Sequence, residues 1–116
     1  MKAKVNRFFM QFAVAGFSYH EGVEVFSEMK PGQKVELAIE PENRFDPRAV
    51  TVSYQDKLLG YIPRSQNKEI WQFLALGYNI FEAFINRISP DEHPENQVGV
   101  TVRIIENKTK EKVINK

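Results

Sequence analysis

A strict two-residue alternation of apolar and polar side chains, repeated in short segments, most constrains what this chain can form. Residues 34–40 (KVELAIE) set Val35, Leu37 and Ile39 against Lys34, Glu36 and Glu40. Residues 49–54 set Val50, Val52 and Tyr54 against Thr51 and Ser53, and residues 97–105 align Val98, Val100, Val102 and Ile104. Successive side chains of a strand point to opposite faces, so each segment reads as a strand with one face buried. Gln55, Asp56 and Lys57 make a hairpin-length connection to a further strand at 58–62 (LLGYI), which makes these two strands antiparallel neighbours.

The remaining segments fit the same plan. Residues 7–16 (RFFMQFAVAG) read as a first strand, with Phe8, Met10, Phe12 and Val14 on one face and Phe9, Ala13 and Ala15 on the other. Apolar residues on both faces suit a strand covered on both sides or lining a barrel. Val23, Phe26 and Met29 recur at helical spacing, and Pro31-Gly32 stops that short helix. Ser65 is placed to cap a helix through Leu76 with Ile70, Phe73 and Leu74 as its apolar stripe, and Gly77 to end it. Trp71 in that helix is expected to pack against the sheet. Residues 78–88 read as a strand and 89–96 (SPDEHPEN) as a loop. Short strands in steps of about 8–12 residues, with one or two small helices, predict an all-β fold. The expected form is a partly closed, OB-like antiparallel β-barrel of about six strands, because closure removes exposed sheet edges.

A length of 116 residues favours one domain, here 1–106, followed by a charged tail at 107–116. With 42% hydrophobic and 12% aromatic residues, the chain has enough apolar mass for a core and is not a disordered polymer. There is no Cys, which excludes disulfides, thiol nucleophiles and thiolate zinc sites. No apolar run approaches the roughly 20 residues of a membrane span, and no signal-peptide h-region opens the chain; a soluble, cytoplasmic protein without a membrane partner is the expectation. The formal charge is +1 with 16 basic and 15 acidic groups, and four of the Lys fall in the last eleven residues. A protein that coats duplex phosphates is usually far more basic, so any nucleic-acid role must come from a local pocket.

Residues 40–50 (EPENRFDPRAV) carry the most chemistry, a long polar connection between two strands with a single large aromatic in its middle. In one reading Asn43 and Asp46 satisfy their own backbone through Asx-turns while Phe45 plugs the barrel end. In the other, Phe45 is a stacking platform and Asp46 an acceptor aimed at a ligand hydroxyl, the adjacency that a planar base beside a sugar would need.

Three stretches, VAGFSYHEG, KPGQKVELAIEPENRFDPRAVTV and LLGYIPR, together resemble the HIRAN domain. That family occurs at the N-terminus of certain SWI/SNF-type fork-remodelling helicases and as stand-alone bacterial and phage-type proteins. The resemblance covers residues 8–88 and implies a modified OB-like barrel. It also implies a pocket for the 3′-hydroxyl end of single-stranded DNA. By resemblance, Asp46 matches the carboxylate that accepts from the terminal hydroxyl, and Phe45 matches an aromatic, often Tyr, on the terminal nucleotides. Tyr19 matches a second aromatic beside the DNA end, and Tyr61 and Arg64 fall where relatives carry polar or basic side chains near phosphates. Ser18 stands where a helicase-attached member has Arg, and Tyr61 where it has His, which makes this pocket less basic.

Other constellations are weak. His20 and His93, the two histidines, do not make a metal site, so no metal or other cofactor is expected. There is no GxxxxGK[ST] motif for an ATPase and no nucleophile–base pairing, so the chain reads as a non-enzyme. Two function classes remain. One is a DNA-binding module for single-stranded 3′ ends, serving DNA repair or replication-fork processing. The other is an interaction barrel that uses the same rim for a protein partner such as a helicase or a nuclease.

Overall fold

The computed structural model describes residues 6–17 and 25–105 of the chain. Its strands are β1 (Asn6–Ala13), β2 (Lys34–Ile39), β3 (Val50–Tyr54), β4 (Lys57–Tyr61), β5 (Phe81–Ile88) and β6 (Val98–Ile105), with one helix, α1 (Lys68–Ala75). They form one six-stranded antiparallel sheet in the order β1-β6-β5-β2-β3-β4. The alternation seen in the sequence is the alternation of burial: Val50, Val52 and Tyr54 of β3 and Val98, Val100 and Val102 of β6 are all buried. The β3–β4 turn is the two-residue step Gln55-Asp56, both at positive φ (46° and 66°), the left-handed pair that matches the twist of a hairpin.

The sheet is not closed into a barrel. Its edges, β1 and β4, share no ladder; just past β1, Ala15 and Tyr61 exchange two backbone hydrogen bonds of 2.8 and 2.9 Å. Gly60 makes that approach feasible. A Cβ at this position would lie 2.2 Å from the Ala15 carbonyl oxygen and 2.7 Å from Val14 Cγ1. Gly60 also sits at a register irregularity in the β3–β4 ladder, where a residue without a side chain lets the strand bend towards its neighbour.

Some local expectations need correction. The first strand does not keep one apolar face, because its register with β6 shifts between Phe8 and Met10. The extra residue swings Phe9 onto Phe81, with ring centroids 5.4 Å apart, and leaves Phe8 56% exposed. The short helix expected at 23–29 lies partly outside the described residues; within them Phe26–Glu28 form a 3-10 turn, and Phe26 packs against Phe17. The second helix does not begin at Ser65. Residues Arg64–Gln66 form a 3-10 turn, and the N-cap of α1 is Asn67.

The far end of α1 forms as expected. Gly77 takes φ +88° and donates to the Leu74 carbonyl at 3.0 Å, and the Tyr78 N–H reaches the Phe73 carbonyl at 2.8 Å. This pair of bonds is the Schellman pattern, which satisfies carbonyls left open at a helix end. Ile70 is fully buried, and Trp71 and Leu74 pack against the core. Phe73 meets Phe81 edge-on at 5.9 Å. The strand expected from Tyr78 starts at Phe81. Among the described residues no helix is long and apolar enough to cross a membrane.

Candidate nucleic-acid interface

Between β2 and β3 the chain must cover ten residues while staying near the sheet, and two Asx-turns shape the crossing. The Glu40 N–H donates to the Ala49 carbonyl at 3.1 Å and closes the base of the loop. Asn43 Oδ1 accepts from the Phe45 and Asp46 backbone N–H groups, each at 2.8 Å. Asp46 Oδ1 accepts from the Arg48 N–H at 3.0 Å, around Pro47. These bonds are the local pattern that Asn and Asp favour over regular structure.

Long-range contacts then lock the loop to β4 and to the start of α1. Tyr61 donates its hydroxyl to Glu40 Oε1 at 2.8 Å, and Asn43 Nδ2 donates to the same oxygen at 2.8 Å. Arg64 Nη2 donates to the Phe45 carbonyl at 2.5 Å, and its Nε stands 3.8 Å from Asp46 Oδ2. Asn67 Nδ2 donates to Asp46 Oδ2 at 2.9 Å and to the Arg48 carbonyl at 2.7 Å. Burial and the hydrogen bond to Glu40 raise the Tyr61 pKa above its ordinary 10.0, so this phenol stays protonated as a donor. Tyr61 therefore anchors the loop base through Glu40.

Phe45 occupies the tip of this pinned loop. Its backbone is held on both sides, yet 86% of the residue is exposed, so the ring does not plug the sheet's end. The Asp46 side chain beside it is only 15% exposed. A carboxylate offers about four acceptor positions, and the neighbouring N–H groups of Arg48 and Asn67 take one on each oxygen, which leaves acceptor capacity for a ligand donor. Over the loop tip, residues 43–48 together with Arg64, the exposed guanidinium groups of Arg44, Arg48 and Arg64 stand against the one carboxylate of Asp46.

Of the residues singled out from sequence, the fold brings together Phe45, Asp46 and Arg64, with Tyr61 at the base of the same loop. Ser18 and Tyr19 lie outside the described residues. Asn67, Arg44 and Arg48 were not singled out. The arginines stood in the informative loop itself, whereas the bond from Asn67 to Asp46 spans 21 residues and leaves no local signal. Among the described residues no group of three His, Cys, Asp or Glu side chains is placed to hold a metal ion.

A family model, the HIRAN domain, matches residues 8–106. A crystal structure of a protein from Lactobacillus plantarum superposes with a TM-score of 0.76 at 20% identity, over 90% of this chain and 100% of that one. The crystal structure of the HIRAN domain of human HLTF superposes with a TM-score of 0.66 at 15% identity, over 94% of this chain and 86% of that one. At such identities the two structures establish the fold. No curated protein sequence matches the chain.

Proposed function

This chain belongs to the HIRAN domain family, and from that membership we propose that it binds single-stranded DNA at a free 3′-hydroxyl end through the Phe45–Asp46 loop. HIRAN is a binding domain, and its family is known to bind DNA. The observation that carries the reading is an aromatic ring 86% exposed on a loop whose backbone is fixed, next to a carboxylate with acceptor capacity to spare. A flexible loop would lose ordering entropy on binding, and this one has already lost it in folding.

In the proposed complex the last base stacks on Phe45 and the terminal hydroxyl donates to Asp46. Arg64, already on the Phe45 carbonyl, stands near the adjoining phosphate, with Arg44 and Arg48 on either side of the tip. Ser18 and Tyr19 are assigned to the same site by the family resemblance alone. A terminal phosphate in place of the hydroxyl would bring an anion against Asp46 and be rejected. DNA repair or replication-fork processing, where free 3′ ends arise, is the setting that such recognition suits.

Phe45→Ala tests the stacking. Binding of single-stranded oligonucleotides weakens by roughly 1–3 kcal/mol, the range for one base on an aromatic, and by the same factor for 3′-hydroxyl and 3′-phosphate ends. Stability stays within about 0.5 kcal/mol, because the ring makes little burial to lose. Unaltered affinity in fluorescence anisotropy titrations of the variant would remove Phe45 from the interface.

A further inference from the structure

Asn67 is fully buried, and it occupies the N-cap of α1. Asn at that position ordinarily accepts from a backbone N–H of the first helical turn. This one makes no such bond. Its amide instead gives Nδ2 to two acceptors, Asp46 Oδ2 at 2.9 Å and the Arg48 carbonyl at 2.7 Å, while its Oδ1, also buried, has no protein partner. A helix start thus forgoes its cap and leaves a buried acceptor unpaired, an arrangement that disfavours folding unless the amide does something else.

We infer that Asn67 is a positioning residue that fixes the orientation of the Asp46 carboxylate and so sets the preference for a hydroxyl-bearing DNA end. This rests on the proposed reading of Asp46 as the hydroxyl acceptor. Asp46 Oδ1 is held by the Arg48 N–H and Oδ2 by Asn67, so the carboxylate is gripped at both oxygens and cannot turn about its terminal bond. The grip is closed, because the same Nδ2 also holds the carbonyl of Arg48, whose N–H binds the other oxygen. Arg64, 3.8 Å from Oδ2 and 66% exposed in its side chain, is too loose to do this alone. With both donors engaged from the protein side, the remaining acceptor positions point to one class of partner, a group that brings its own proton.

The test compares dissociation constants of wild type and Asn67→Ala for two single-stranded oligonucleotides that differ only in a 3′-hydroxyl or a 3′-phosphate. Wild type favours the hydroxyl end, and Asn67→Ala lowers that preference by about two- to tenfold, the scale of coupling between residues in contact. In an Asp46→Ala background the Asn67 substitution leaves the ratio unaltered. A merely structural role would lower the melting temperature and weaken both ends equally; an unaltered ratio therefore overturns the inference while leaving the Asp46 reading intact. Absence of any end preference in wild type overturns both. Should Asn67→Ala not fold, the wild-type protein still decides the matter by NMR. The Asn67 side-chain amide resonances shift with the 3′-hydroxyl oligonucleotide and less with the 3′-phosphate one, and equal or absent shifts contradict the inference.

Discussion

Asp46→Ala weakens binding to a single-stranded 3′-hydroxyl end by roughly 1–3 kcal/mol, the range for losing a hydrogen bond to a charged group, and it lowers thermal stability at the same time. Both effects follow from the two faces of one side chain. Towards the protein, Oδ1 satisfies the Arg48 N–H and Oδ2 satisfies the buried Asn67 amide; truncation leaves both donors without that acceptor. Towards solvent, the carboxylate offers the acceptor proposed for the terminal hydroxyl. The two are separable by substrate. For a 3′-phosphate end, which the proposed site would already repel, the expected loss is much smaller, whereas damage confined to the loop would weaken both ends alike. Asp46→Asn is not a neutral control, because both oxygens accept and an amide would turn a donor towards one of those N–H groups. Calorimetry beside anisotropy titrations of both oligonucleotides checks the pair of outcomes.

Gly60→Ala has the largest expected effect on the fold itself. The added Cβ would stand 2.2 Å from the Ala15 carbonyl oxygen, which is not free to retreat because it accepts from the Tyr61 N–H at 2.9 Å. On the other side Val14 is fully buried, so its Cγ1, 2.7 Å away, has no space to enter. The φ of +156° at Gly60 adds backbone strain for any residue with a side chain. Overpacking and strain together destabilise by roughly 2–4 kcal/mol. Urea unfolding gives the value, and amide exchange at Tyr61 shows whether the bridge has opened. An unmoved midpoint with Tyr61 still protected would mean that the two edges do not need this contact.

Sequence pattern and structure agree where one physical term dominates. β3 and β6 have one face in the core and one outside, so a period of two suffices to place every side chain. Pattern fails at β1, whose apolar residues offer two acceptable faces; the register shift that exposes Phe8 and turns in Phe9 is chosen by the fit to β6 and Phe81. Apolar residues on both faces also suggested closure, yet edge contact reduces to the Ala15–Tyr61 bridge. At the start of α1, Ser65 and Asn67 are both good caps by type. The 3-10 turn at Arg64–Gln66 places Asn67 there, and the attraction of its amide to Asp46 then overrides capping.

The site divides along the same line. The Asx-turns at Asn43 and Asp46 are local and could be read from residue types alone. The exposure of Phe45 could not, because the loop is also held by bonds from distant residues, such as that of Arg64 to the Phe45 carbonyl across 19 residues. Nor could the role of Tyr61, whose hydroxyl meets Glu40 across 21 residues. Residue chemistry offered Phe45 and Asp46 as a pair and the family resemblance pointed to the same two; the fold adds what grips them.

A single titration bears most directly on recognition of a free 3′ end by the Phe45–Asp46 loop. Wild-type protein is titrated at low salt into three labelled DNAs: a single strand with a 3′-hydroxyl, the same strand with a 3′-phosphate, and a blunt duplex. The proposed site predicts tightest binding to the 3′-hydroxyl strand, by about fivefold or more over the 3′-phosphate strand, as one hydrogen bond to a charged group would give, and weaker binding to the duplex, whose terminal base remains paired and stacked. Equal affinity for the two strands would contradict end recognition by Asp46, and failure to bind any of the three would contradict DNA binding at this loop and favour a protein partner on the same rim.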